Sequence, residues 1–176
     1  MVDKYILSGG PCTGKTSLLN KLAEKGYITL PESARLILEE EQAKEEGIFP
    51  WNNQPVFQLK MIERQLVAET EIQYNEGIAF LDRSIIDAIG YYRFYGLDVP
   101  EHVPGLIEQA GYKKVFFLEQ LGTYANDVQR KESAEEARVV HNHLHNAYKE
   151  SICPVIDVPD IGLDARVDFI LKNLFL

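Results

Sequence analysis

Residues 5–16 read YILSGGPCTGKT and contain the stretch that decides the fold. Residues 9–16 fit the phosphate-loop pattern G-x-x-x-x-G-K-[ST], also called Walker A; a short apolar run precedes them and a helical sequence follows. Glycines permit backbone angles and close approach that a Cβ would block, so the N–H groups of such a loop can point at phosphate oxygens. The motif therefore predicts that the chain binds a nucleoside triphosphate.

Two side chains of this loop have specific predicted roles. Lys15 is expected to bridge the β- and γ-phosphates, and Thr16 to offer its hydroxyl to Mg²⁺. Cys12 has two interpretations, a thiol whose pKa is lowered by Lys15 and the helix start, or a small side chain that fills the loop. The predicted nucleotide-binding residues are Gly9, Gly10, Pro11, Cys12, Thr13, Gly14, Lys15, Thr16 and Ser17.

Composition narrows the class of protein around this loop. The 176 residues carry 18 Lys+Arg and 27 Asp+Glu, a net charge of −9, which argues against a duplex-DNA surface and a polybasic membrane anchor. The length fits one domain. Cys12 and Cys153 form neither a disulfide framework nor a metal spacing, and the first apolar run is too short for a signal sequence. We therefore expect a cytoplasmic protein with no nucleic-acid or membrane partner.

Strand and helix patterns alternate along the chain. The apolar runs are rich in β-branched and aromatic residues and lack polar alternation, which is typical of strands buried on both faces. Strands that alternate with helices imply crossover connections, a parallel sheet and a three-layer α/β domain. The predicted strands are residues 5–8, 27–30, 78–81, 114–118 and 154–158, and the predicted helices include 16–25, 33–46, 56–67, 132–150 and 163–174.

A carboxylate follows the third predicted strand, in the stretch IAFLDRS. At the carboxyl edge of a parallel sheet, Asp82 would face the ligand crevice and would be the Mg²⁺ partner of Thr16. The alternative is an N-cap on the next helix. Arg83 stands where ATP-hydrolysing proteins usually place a water-activating Glu, so it is expected to hold substrate or to stabilise charge on the moving phosphoryl group.

A second carboxylate follows the second strand, in YITLPESAR. Glu32 would accept the proton of an attacking hydroxyl, or would only be a favourable acid in the first turn of a helix. Arg35, one turn later, would pair with Glu32 or clamp an anionic substrate.

Three further segments leave alternatives open. The polar stretch 120–132 contains Arg130. It is either a mobile flap that brings a positive charge to the site late in phosphoryl transfer, or an ordinary surface loop. The loop 47–55 contains Trp51 and either folds onto the core or covers a ligand. Residues 155–166 (VIDVPDIGLDAR) would line the nucleotide base, and the histidines at 141, 143 and 145 favour a helix face over a metal site.

In order, the motifs GGPCTGKT, PESAR, FLDRS, YANDVQR and VIDVP resemble the P-loop nucleoside and nucleotide kinases. They look most like small stand-alone proteins classed under the AAA domain label and related to ribosylnicotinamide kinase. The resemblance implies a five-stranded parallel sheet in the order 2-3-1-4-5. Asp82, Arg83 and Ser84 are similar to an acid-Arg-Ser motif of deoxyribonucleoside kinases, which also have a catalytic glutamate where Glu32 stands, although their proline follows the glutamate and here precedes it. By the same resemblance, the candidates for contact with the base of the acceptor are Trp51, Phe57, Gln58 and Gln65.

The sequence thus predicts ATP- and Mg²⁺-dependent phosphoryl transfer to a small nucleoside-like acceptor. The alternative is a regulatory NTPase that binds ATP or GTP and hydrolyses it slowly or not at all. One domain, 1–176, would contain a substrate-side helical region at about 32–76 and a flap at about 119–132. The predicted catalytic residues are Lys15, Glu32, Arg83 and Arg130; the substrate-binding residues are Glu32, Arg35, Trp51 and Arg83; the metal ligands are Thr16 and Asp82.

Overall fold

Five parallel strands form one sheet in the order β2-β3-β1-β4-β5, which confirms the predicted order. The structure is a computed structural model that describes residues 2–121 and 133–175. The strands are β1 Asp3–Ser8, β2 Ile28–Leu30, β3 Ile78–Asp82, β4 Lys114–Leu118 and β5 Val155–Val158. The helices are α1 Lys15–Glu24, α2 Ala34–Gln42, α3 Gln54–Ile72, α4 Ile85–Phe94, α5 Val103–Ala110, α6 Ala134–Glu150 and α7 Leu163–Lys172.

The central strand β1 explains why the strand sequences are apolar without alternation. It pairs with β3 on one side and with β4 on the other, so Ile6 lies beside both Leu81 and Val115. Ile6 packs into the core that contains side chains of α3, α4, α5 and α6, whereas Tyr5 and Leu7 pack into the core beneath α1 and α7. Both faces of the sheet are therefore covered, and the last four residues of the strand, 5–8, are buried.

Parallel strands bring their carboxyl ends to one edge of the sheet, and this edge carries the predicted site. The phosphate loop leaves the end of β1, Glu32 follows β2, and Asp82 is the last residue of β3. The order of the sheet places β3 directly between β2 and β1. Glu32 and Asp82, which are far apart in the sequence, thus lie at the same edge of the sheet.

Three helices differ clearly from the sequence prediction. Helix α3, Gln54–Ile72, extends beyond the predicted 56–67 at both ends. The second helix was expected to reach residue 46 but ends at Gln42, because the buried carboxylate of Glu41 draws the chain back by accepting from the Ile48 N–H at 2.8 Å. The carboxylate also pairs with Lys44 at 2.6 Å. Helix α5 was not predicted, although Pro104 in its first turn and the spacing of Val103 and Ile107 are typical helix signals.

Within the described residues, no helix combines the length and the apolar character that crossing a membrane requires.

Candidate active site

The phosphate loop has the backbone geometry that its glycines permit. Gly9 has a φ of 141°, and a Cβ at this position would lie 2.7 Å from the carbonyl oxygen of Leu118. Gly14 has a φ of 83° and is the N-cap of α1. The loop therefore passes close under the end of β4 and turns directly into a helix whose N-terminus favours anions.

Lys15 is buried at the centre of the loop. Its ammonium donates to the carbonyl oxygens of Gly9 at 3.0 Å and Gly10 at 2.9 Å, and to the hydroxyl of Thr13 at 3.3 Å. Burial, together with the positive charge of Arg83, lowers the pKa of Lys15 to about 8. The loop thus holds a buried cation at the wall of the cleft.

Asp82 lies beside Thr16, as predicted for a pair of Mg²⁺ ligands. The Thr16 hydroxyl donates to Oδ2 of Asp82 at 3.3 Å, whereas Oδ1 is buried and has no hydrogen-bond partner among the described residues. Burial raises the pKa of Asp82 to about 6, against the opposing effect of Lys15. A buried carboxylate oxygen without a donor, next to a hydroxyl, fits Mg²⁺, which typically binds through one or two carboxylates plus substrate phosphates and water.

The alternative role of Asp82 as a helix cap is wrong, because Ser84 is the N-cap of α4. Its side chain accepts from the backbone of Ile86, and the carboxylate of Asp87 accepts from the Ser84 N–H at 2.9 Å. This reciprocal capping box leaves Asp82 in β3, with its side chain at the site.

Arg83 joins the second and third strand ends. Its Nε donates to Oε1 of Glu32 at 2.6 Å, and its Nη1 donates to Oδ1 of Asp87 at 3.2 Å. Burial disfavours the charged form, but the pKa of Arg83 still lies well above its ordinary value, because Glu32, Tyr91 and Asp87 stabilise the cation. The glutamate side chain remains 28% exposed, so Glu32 can reach a ligand while it is paired.

Two predicted arginines lie beyond what the structure describes. Arg130 and most of the predicted flap fall within 122–132, outside the described residues. Arg35 belongs to α2, but its side chain is outside the description. The carboxylate of Glu32 pairs with Arg83.

One cleft is lined by most of the other predicted residues, but not by Gly9 and Gly10. It has a volume of about 1560 Å³, well above the ~300–1,000 Å³ of a typical single-ligand pocket. Phe57, Gln58 and Gln65 of α3 line it and are buried. Trp51 also lines it, but this ring is 59% exposed and stacks on Phe49 at 4.8 Å rather than on the core. The other predicted residues that line the cleft are Pro11, Cys12, Thr13, Gly14, Lys15, Thr16, Ser17, Glu32, Asp82 and Arg83.

A smaller cavity of about 410 Å³ lies beside the helix that follows the phosphate loop. Gly14 and Ser17 line one side, and Ile161 and Gly162, from the segment predicted to contact the nucleotide base, line the other. Arg166 of α7 also lines it.

Sequence reasoning missed two charged residues of the site, and each carried a signal. Arg166 is buried and donates to the carbonyl oxygens of Thr13 at 2.6 Å and Glu119 at 3.1 Å. Arg166 lies at helical spacing from Leu163 and Ile170, so the sequence places an arginine on an apolar helix face. Asp87 stood likewise within the apolar run SIIDAIG, three residues after a serine.

His141 of α6 contacts the phosphate loop directly. Its Nδ1 accepts from the Gly10 N–H at 3.2 Å, and its ring packs edge-on against Phe117 at 4.9 Å. A Cβ on Gly10 would lie 2.8 Å from the Cβ of His141, so the second glycine allows this close approach. Because burial, His145 and Lys15 lower the pKa of His141 to about 4, the ring is neutral near pH 7 and can accept.

We expect this contact to make stability pH-dependent. Between pH 6.5 and about 4 the unfolded chain binds a proton at His141 that the folded chain does not, so the free energy of unfolding falls on acidification. The slope stays below the limit of about 1.4 kcal/mol per pH unit, because the folded and unfolded chains differ by less than one bound proton at this group. His141→Asn keeps an acceptor that cannot titrate here. Urea unfolding of both proteins from pH 7 to pH 4 should show a steeper loss for the wild type, and equal slopes would contradict the assignment.

Comparisons with known proteins agree with this architecture. A family model described as AAA domain matches residues 4–166. The structure of deoxyadenosine kinase from M. mycoides with the products dCMP and a flexible dCDP bound is 14% identical, with a TM-score of 0.70 and 98% of both chains covered. That of thymidylate kinase from Candida albicans is 13% identical, with a TM-score of 0.70, and covers 99% of this chain and 91% of that one. No curated protein matches. At these identities the solved structures show a shared fold.

Proposed function

The chain belongs to the AAA domain family, whose model spans residues 4–166, and from that premise we propose that it transfers the γ-phosphoryl group of ATP to a hydroxyl of a nucleoside-like acceptor. The observation that carries this proposal is the pair of Glu32 and Arg83, joined at 2.6 Å in the cleft that the phosphate loop lines. A carboxylate that can take a proton and a cation that can stabilise phosphoryl charge are the two groups that transfer to a hydroxyl requires.

In the proposed reaction the acceptor oxygen attacks the γ-phosphorus. A new O–P bond forms, the bond from the γ-phosphorus to the bridging oxygen breaks, and its electron pair stays on ADP. Glu32 takes the hydroxyl proton. Lys15 and Arg83 stabilise the charge on the phosphoryl oxygens, and Arg130 is proposed to do the same from the flap.

Thr16 and Asp82 would hold Mg²⁺, since their oxygens lie 3.3 Å apart and one oxygen of Asp82 has no donor among the described residues. The ion neutralises phosphate charge when bound. The smaller cavity at Gly14 and Gly162 is proposed to receive the base of the donor.

The acceptor is proposed to bind on the side of the cleft formed by α3. Phe57 provides an apolar ring, Gln58 and Gln65 provide amides, and Trp51 stands at the opening. Two proteins of the same fold are named for a nucleoside and a nucleotide substrate, deoxyadenosine and thymidylate, which supports a nucleoside-like acceptor here. A cytoplasmic location and the absence of a nucleic-acid or membrane partner remain predictions from composition.

The proposal is tested by ligand-induced thermal stabilisation. With a non-hydrolysable ATP analogue and Mg²⁺ present, an added acceptor should raise Tm further, because ligands that bind the folded state stabilise it by mass action. The screen covers nucleosides, nucleotides and ribosylated cofactors, and each positive compound is then assayed for phosphorylated product. A regulatory NTPase would respond to nucleotide alone and would distinguish diphosphate from triphosphate. No second shift and no product with any compound would contradict the kinase proposal.

A further inference from the structure

The carboxylate of Asp87 is the meeting point of three elements of the fold. Oδ1 accepts from the Ser8 hydroxyl at 2.8 Å and from Nη1 of Arg83 at 3.2 Å. Oδ2 accepts from the Ser84 N–H at 2.9 Å and from the phenol of Tyr148. Four donors thus point at one buried carboxylate, and they come from the end of β1, the turn before α4, and α6.

The backbone of Arg83 needs such support. Its φ is 77°, in the left-handed region that costs a non-glycine residue roughly 1–2 kcal/mol. Such a conformation persists where its surroundings over-determine it, and it is concentrated at functional sites. The Arg83 N–H donates to the carbonyl oxygen of Leu7 at 3.0 Å, and its guanidinium lies 5.6 Å from the ring centre of Tyr91.

The two carboxylates that hold the guanidinium differ in exposure. The side chain of Glu32 is 28% exposed, whereas that of Asp87 is 5% exposed. In the proposed reaction Glu32 gains a proton while charge develops on the phosphoryl oxygens. At that moment its attraction for Arg83 weakens, and Asp87 is the second carboxylate in contact with the guanidinium.

We propose that Asp87 is a positioning residue that keeps the Arg83 guanidinium directed at the phosphoryl group when Glu32 is protonated. Tyr148 and Ser8 hold Asp87 in turn, so α6 and the end of β1 both set the position of Arg83. This inference rests on the proposed function, because that function assigns the transfer to Glu32 and Arg83. The competing explanation is a purely structural role in the capping box of α4.

A double-mutant cycle in the full chain separates these roles. Asp87→Asn alone should lower kcat about 10- to 100-fold, a typical loss when a residue that orients a site group is changed, and should leave the KM for ATP within about threefold. In an Arg83→Ala background the same change should cost less than about threefold, because the group that it positions is gone. Equal losses in both backgrounds would show a structural role and overturn the inference.

Tyr148→Phe is a milder variant in case Asp87→Asn does not fold. It removes one donor to Asp87, so kcat should fall severalfold with the KM for ATP unchanged. Tyr5→Phe is the matched control, since it also deletes a buried phenol hydroxyl, here one that donates to the Leu174 carbonyl at 3.3 Å in the core beneath α1 and α7. Equal effects of the two variants on kcat would count against Asp87.

Crystal structures of Glu32→Gln, and of Glu32→Gln combined with Asp87→Asn, give a readout that does not require turnover, because position 32 then carries no charge, as when Glu32 is protonated. The guanidinium of Arg83 should keep its contact with Asp87 in the single variant and should move in the double variant. A guanidinium that stays in place in the double variant overturns the positioning role even if the wild type is an active kinase. A wild-type protein that transfers phosphate to no acceptor overturns the proposed function instead, so the two failures are distinguishable.

Discussion

Glu32→Gln should lower kcat for phosphoryl transfer by about 10²–10⁴-fold, the range that a general base contributes. In the wild type, Nε of Arg83 donates to the carboxylate of Glu32 at 2.6 Å. The amide of glutamine has nearly the same shape and can still accept this hydrogen bond, but it cannot take the proton of the acceptor hydroxyl. The ammonium of Lys15 in the phosphate loop is held by the carbonyl oxygens of Gly9 and Gly10, which Glu32→Gln leaves unchanged. The affinity for ATP should therefore stay within a few-fold of the wild type.

Steady-state kinetics and titration calorimetry with an ATP analogue measure the two effects separately. Glu40→Gln is the matched control, because Glu40 is a 53% exposed glutamate of α2 that pairs with Arg64 at 3.4 Å. It should leave kcat unchanged. A rate for Glu32→Gln equal to that of the wild type would remove Glu32 from the role of base.

Lys15→Ala should abolish productive ATP binding and lower kcat/KM by at least about 10²–10³-fold, the cost of removing one preorganised charge from developing phosphoryl oxygens. The fold itself should survive. Because burial and Arg83 lower the pKa of Lys15 to about 8, its charge costs free energy in the folded state at pH 7, so the variant should unfold at the same or a higher temperature.

Calorimetry with ATP and Mg²⁺, together with a thermal unfolding scan, measures both expectations. Lys21→Ala provides the control on the same helix, where the lysine is 40% exposed and pairs with Glu24 at 3.3 Å. It should change neither quantity by much. Full transfer activity in Lys15→Ala would refute the role of the loop.

Local patterns in the sequence predicted the sheet because each of its determinants is local. The apolar runs, the glycine loop and the strand-end acids lie within a few residues of one another, and parallel topology then places Asp82 at the same edge as Thr16. The end of α2 did not follow from such local patterns. It depends on a hydrogen bond in which the carboxylate of Glu41 accepts from the backbone N–H of Ile48, and the helix therefore ends before Gly47.

The partners of the site arginines were beyond local patterns. Glu32 had a neighbour one turn away in Arg35, yet its carboxylate meets Arg83, 51 positions later, because β2 and β3 are adjacent. Two of the four donors to Asp87, the hydroxyls of Ser8 and Tyr148, come from β1 and α6, and their choice depends on side-chain packing rather than spacing. The sequence did contain one local signal for Asp87 and Arg166. Each is a charged residue on an otherwise apolar helix face, and both are buried.

The contact of Arg166 with the Thr13 carbonyl spans 153 positions of the chain. During synthesis the phosphate loop leaves the ribosome before α7, so these two residues can meet only after α7 has been made. The capacity to hold a nucleotide should accordingly arise only after α7 has been synthesised and has docked. Because a bound ligand stabilises the folded state, chains that lack α7 should gain less protection from proteolysis by added nucleotide.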